Sequence, residues 1–116
     1  MSLFDSTQLA LGSALRGASM RQTLLTDNLA NVNTPGYQRK DIDFHAQLRS
    51  AVASGDPAGV QYTPASDPAR TVRADGSGID ADQEAAALAK NALEYQALVE
   101  VSSVRSHIVK IAMGVA

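Results

Sequence analysis

Any chemistry in this chain has to start from histidine, carboxylate or amide side chains. It has no Cys, which excludes thiolate nucleophiles, disulfides and Cys-based zinc sites. His45 and His107 lie far apart, and neither has a second His or a Glu at a zinc-binding spacing. Asp41 and Asp43 could form a carboxylate pair, but their alternation with Lys40 and Ile42 more simply gives an extended edge followed by a helix cap. Asp75-Gly76-Ser77-Gly78-Ile79-Asp80 invites a calcium-loop reading. Its register fails, because the glycine position of such a loop falls on Asp80 and the final glutamate position on Ala86. No G-x-S-x-G, phosphate loop or dinucleotide fingerprint is present. The expectation is a protein that is not an enzyme, with no catalytic, cofactor or metal residues.

Amides and a turn carry more information. In Asn28-Leu29-Ala30-Asn31-Val32-Asn33-Thr34-Pro35-Gly36-Tyr37, Thr34 to Tyr37 suits a type II turn. Pro35 sets φ near −65° and Gly36 takes the positive φ that a side chain resists. Pro35 also ends any preceding helix. Asn31 and Asn33 are residue types that tolerate a left-handed helix end, and their amides can bond freed carbonyls. A helix stop does not need Asn28 before it or Tyr37 after it. The segment therefore reads as a joint, with Asn28, Leu29, Asn31, Thr34, Pro35, Gly36 and Tyr37 as its candidate assembly residues.

The elements that must position this joint are two long helices. From about Ser6 to Val32, Phe4, Leu11, Ala18, Leu25 and Val32 recur every seventh residue, with Leu15 and Leu29 four after Leu11 and Leu25. That is a heptad-like seam, although Gln8 and Gln22 stand where Leu would be expected. Residues 1–33 carry only Asp5, Arg16, Arg21 and Asp27 as charges. Gly12 and Gly17 each cost a helix about 1 kcal/mol relative to Ala. Such a helix is weak alone and wants neighbours on more than one side. A second helix is expected to start at Asp80, with Gln83 three residues on as in a capping box. Leu93, Ala97, Val101, Val104, Ile108, Ile111 and Val115 form one stripe, with Leu88, Tyr95, Leu98 and Val109 beside it. Run from 80 to 115, it would be on the order of 54 Å long.

Between them, residues 34–79 hold a short helix capped by Asp43, with Phe44, Leu48 and Val52 on one face. A polar stretch rich in Pro and Gly follows, which composition makes a solvated flexible loop. Short extended pieces fit at Val60–Tyr62 and Thr71–Arg73. The expected fold is mainly α: N- and C-terminal helices (1–33 and 80–116) paired as a coiled-coil-like hairpin around a loop-rich middle, in one structural unit. Twenty of the 116 residues are Ala and only Phe4, Tyr37, Phe44, Tyr62 and Tyr95 are aromatic. That composition suits closely packed helices and a marginal lone chain. A net charge of −2 without a basic cluster disfavours nucleic acid. No apolar run reaches a membrane span, and no basic region precedes the first apolar residues, so a cleaved signal is not expected.

The segment DNLANVNTPGYQRKDIDF resembles the signature of the bacterial flagellar basal-body rod protein family, in which N-L/I-A-N-x-x-T-P-G-Y closes the N-terminal helix. Its continuation and the stretch Leu88-Ala89-Lys90-Asn91-Ala92-Leu93-Glu94-Tyr95-Gln96-Ala97-Leu98 are most similar to the proximal rod subunits. The matching stretches cover roughly two thirds of the chain, and the middle matches only in being short and loop-like. The resemblance implies a structural subunit, exported by the flagellar type III apparatus and polymerised through its terminal helices into a hollow, torque-transmitting rod. It also implies its partners: other copies, other rod subunits, and an adaptor at the rod base and export gate or membrane ring. Gly12, Gly17 and Ser19 depart from the bulkier or charged residues common in relatives. Outside the resemblance, a soluble coiled-coil adaptor or an export chaperone would also use two helices and a polar loop.

Overall fold

A computed structural model of the chain describes residues 5–114; Phe4 and Val115 of the two expected stripes lie outside them. In order, the elements are α1 (Ser6–Ala30), β1 (Gln38–Asp41), α2 (Phe44–Ala53), β2 (Ala65–Thr71) and α3 (Ala81–Ala112). The result is mainly helical with a loop-rich middle, and it is long and flat, 62 × 29 × 13 Å. Each helix begins at an aspartate whose carboxylate takes the first free N–H groups. Asp5 accepts from the Gln8 N–H, Asp43 from Ala46, and Asp80 from Asp82 and Gln83.

The short extended pieces fall only partly where expected: β2 takes in Thr71, the first residue of the expected Thr71–Arg73 piece. β1 and β2 pair antiparallel, with Gln38 opposite Thr71, Arg39 opposite Asp67, Lys40 opposite Ser66 and Asp41 opposite Ala65. The register breaks between Gln38 and Arg39, so residues 68–70 bulge out of the ladder. Pro68 sits in that bulge, where its missing N–H costs no ladder bond. Val60–Tyr62 is not a strand, but both Val60 and Tyr62 are buried. The polar middle is thus tied down at defined points. The Ser13 hydroxyl donates to the Pro57 carbonyl and the Tyr62 hydroxyl to the Ser13 carbonyl, both at 2.6 Å. Arg16 donates to the Val60 carbonyl at 2.6 Å and lies 5.3 Å from the Tyr62 ring centroid. Composition alone cannot reveal such ties, because they use backbone carbonyls.

A small core forms where α2 crosses α1: Ala18, Ile42, Phe44, Val60 and Tyr62, with Met20, Leu24, Leu48, Ala51 and Leu98 against it. Gly17 makes this crossing possible. A Cβ there would stand 2.7 Å from the Phe44 Cβ, too close for any real contact. Gly12 has no such neighbour.

Of the expected packing residues on α1, Leu25 is fully buried, and Leu11, Leu15 and Leu29 are half-buried, as is Val32 just beyond its end. On α3, Leu88 and Leu98 are half-buried, whereas Leu93, Tyr95, Val101, Val104, Ile108 and Ile111 are exposed. Leu93 is 67% exposed, Ile108 58% and Ile111 59%. α3 turns a different face to the rest of the chain, on which Glu84 and Asn91 are buried.

Candidate assembly joint

α1 stops at Ala30, and Asn31 closes it. The Asn31 N–H and its side-chain amide both donate to the Asp27 carbonyl, at 3.1 and 2.8 Å. Thr34 then bonds back to Asn31 through N–H (3.0 Å) and hydroxyl (3.1 Å). The Tyr37 N–H donates to the Thr34 carbonyl at 3.1 Å, and Gly36 has φ +84°, so residues 34–37 form the expected turn. The left-handed helix end allowed for Asn31 and Asn33 is not used, since no residue but glycine has positive φ among the described residues. Asn31 satisfies the freed carbonyl with its side chain instead, so the backbone has no need of that conformation.

Asn28 is the centre of the joint and is 0% exposed. Its amide nitrogen donates to the Lys40 carbonyl (2.6 Å), while its oxygen accepts from the Lys40 N–H (3.0 Å) and the Tyr37 hydroxyl (3.1 Å). One side chain thus supplies both groups that a neighbouring strand would offer β1, and covers that edge. The turn is held from the other side as well. The Gly36 N–H donates to the Val72 carbonyl and the Val72 N–H to the Tyr37 carbonyl, both at 2.8 Å. Burial, with Asp27 and Glu84 nearby, raises the Tyr37 phenol above its usual range, so it remains a donor.

A chain of charges runs beneath. Arg21 on α1 grips both oxygens of Asp41, at 2.9 and 3.2 Å. Arg39 reaches Asp41 at 3.2 Å and pairs with Glu84 at the start of α3. Glu84 is 1% exposed, so this bond spends its carboxylate away from water. Burial alone would raise the Asp41 carboxyl; the Arg21 guanidinium, the Ile42 N–H and Arg39 together outweigh it and hold it below the usual carboxylate range. Burial likewise works against the Arg39 charge, and Glu84 and Asp41 reverse the balance. Alongside, His45 pairs with Glu94 and stacks on Phe44. An open cavity of about 500 Å³ is lined here by residues of both charge signs, Arg21, Asp41, Lys90 and Glu94 among them. Among the described residues no group of His and carboxylates could hold a metal ion.

The pattern of residues at this joint is shared with known proteins. Residues 9–38, most of α1 and the whole turn, match the family described as flagella basal body rod protein. The chain is 33% identical to the flagellar basal body rod protein FlgB of Bacillus subtilis (strain 168), over 86% of this chain and 87% of that protein. FlgB of Yersinia enterocolitica is 36% identical over 72% of this chain and 75% of its own length. FlgB of Salmonella typhimurium is 35% identical over the same shares. This chain belongs to the FlgB family of flagellar rod proteins. FlgB proteins are structural components of the basal-body rod and not enzymes.

In this FlgB-family chain, the residues singled out from sequence fall into three groups. Asn28, Asn31, Thr34, Gly36 and Tyr37 share one hydrogen-bonded knot; Leu29 is half-buried beside it, and Pro35 is exposed at its tip. Val72, Arg21, Arg39, Asp41 and Glu84 belong to the same structure and were not foreseen. One signal pointed to them. In a helix with so few charges, an arginine such as Arg21, like Arg16, implies a specific partner. Asp41 was read as an edge residue, and it does end β1, but its ion pairs depend on tertiary placement.

Proposed function

We propose that this chain is a structural subunit of the proximal rod, polymerising through its terminal helices into a hollow, torque-transmitting shaft that also conducts exported subunits. The observation that carries this is the exposed face of α3. Leu93, Val101, Val104, Ile108 and Ile111 lie at helical spacing and remain 48–67% exposed among the described residues. An apolar stripe of this length is what a surface meant for another subunit looks like. The occupants are neighbouring copies and other rod subunits, with an adaptor at the rod base and export gate or membrane ring. Asn28 to Tyr37 fixes the direction in which the chain leaves α1, so that the middle folds back along α1 and covers one side of the helical wall. The subunit neither inserts in the membrane nor binds nucleic acid, and takes no cofactor.

The test introduces Val104→Asp with Ile108→Asp, on a face that leaves the intrachain contacts alone. The purified variant is expected to keep its circular dichroism and thermal midpoint. In cells lacking the native subunit it is expected to be exported yet to restore neither swimming nor rods in isolated basal bodies. Normal swimming would overturn the reading.

A further inference from the structure

α3 presents two faces, and the hydrophobic effect alone would choose the other one. The apolar stripe points outward, while Glu84, Asn91 and Arg105 point toward the rest of the chain. These three stand on one line along the helix, with Leu98 completing a spacing of seven. Each meets a specific partner. Glu84 takes the Arg39 guanidinium. The Asn91 amide donates to the Ala18 carbonyl and to Gln22 Oε1, both at 2.8 Å. Arg105 donates to Gln8 Oε1 at 3.4 Å and to both oxygens of Asp5 at 3.2 and 3.1 Å. Gln8 and Gln22, the two interruptions of the α1 seam, are fourteen residues apart, as are Arg105 and Asn91. The interruptions and their partners therefore form one matched set.

This set is not built for stability. Asn91 is 0% exposed, yet its Oδ1 accepts no hydrogen bond from the described residues, and neither does the buried Ser102 hydroxyl on the same face. A buried polar group left half-satisfied costs more than an apolar one would. Val104 and Ile108 sit one position before Arg105 and Val109, about 100° around the helix. A roll of that size would carry them onto α1 and bury the stripe within the chain.

We propose that Asn91 and Arg105, with Glu84 at the start of the helix, are face-selecting residues: they hold α3 in the roll that keeps its apolar stripe outward. Polar pairs used in this way give up stability for a single choice of partner. That the outward stripe serves rod neighbours rests on the function proposed above; the roll itself does not.

The test uses the absence of native cysteine. Single cysteines replace Ile108 on the stripe and Ser102 on the inner face, and thiol labelling rates are measured on dilute protein. Each is made in the native background and with Asn91→Ala plus Arg105→Ala. In the native background Ile108→Cys labels fast and Ser102→Cys slowly. Releasing the pins is expected to reverse the order, slowing position 108 by roughly tenfold or more and speeding position 102, because labelling follows local exposure. Unchanged rates at both positions would overturn the proposal. A faster rate at 102 without protection at 108, the signature of simple unfolding, would overturn it as well. A swimming assay on Val104→Asp with Ile108→Asp reports on assembly alone, so a failure there stays separate from a failure of the roll.

Discussion

Asn28 shows how one side chain can fix a chain direction. It is buried on the last turn of α1, and its amide satisfies the Lys40 N–H and carbonyl and the Tyr37 hydroxyl together. Truncation to Ala orphans three polar groups in a place with little water. Asn28→Ala is expected to destabilise the chain by about 2–3 kcal/mol, read as a lower urea midpoint at unchanged slope. Tyr37→Phe removes only the outermost of these bonds, and about 1 kcal/mol is expected from the same measurement. Equal losses from the two would mean that the amide does not act as the hub. Asn28 could be noticed in the sequence, because a plain helix stop has no use for it. Of its partners, Tyr37 stood out in the same way, but Lys40 could not: it takes part through its backbone, and backbone groups carry no residue signature.

At the scale of elements, glycines that look alike in the sequence separate in the structure. Gly17 lies under Phe44, whereas Gly12 has open space where a side chain would stand. Gly12→Ala is expected to stabilise the isolated chain by about 0.5–1 kcal/mol through helix propensity and a less flexible unfolded state. Gly17→Ala is expected to cost about 1–3 kcal/mol by displacing Phe44 from the core. Paired thermal melts check both, and matching signs would refute the distinction. Helix positions were legible because periodicity and caps are local: Asp43 and Asp80 cap where they were expected, and the Pro35-Gly36 stop ends α1 within a few residues. The α1–α3 face was not legible. Apolar spacing on α3 marks its most hydrophobic side, but the chain uses the side with specific polar partners, and those partners come from α1 and β1. The β1–β2 pairing was hidden for a related reason. Ala65–Thr71 contains a proline and no bulky apolar residue, so only its partner makes it a strand.

The molecule as a whole is tied together by charge at one end. Arg21, Asp41, Arg39 and Glu84 join α1, β1 and α3. Because Asp41 is held below its ordinary value of 3.8, the unfolded chain binds more protons than the folded one as pH falls through that region. The stability contributed by Asp41 is therefore complete above about pH 5 and lost progressively as acid reaches its lowered value. Urea unfolding from pH 6 to pH 3 is expected to show this decline, with a shallower slope for Asp41→Asn, which starts less stable at pH 6. A variant with the same acid slope would place the titration elsewhere. The flatness of the fold has a mechanical consequence. At 13 Å through, the slab is less than half as thick as it is wide. Such a slab flexes readily across its thin direction and resists bending in its own plane. The torsional rigidity of any cylinder built from these slabs must come from the shear strength of the bonds between them, as in the staves of a barrel.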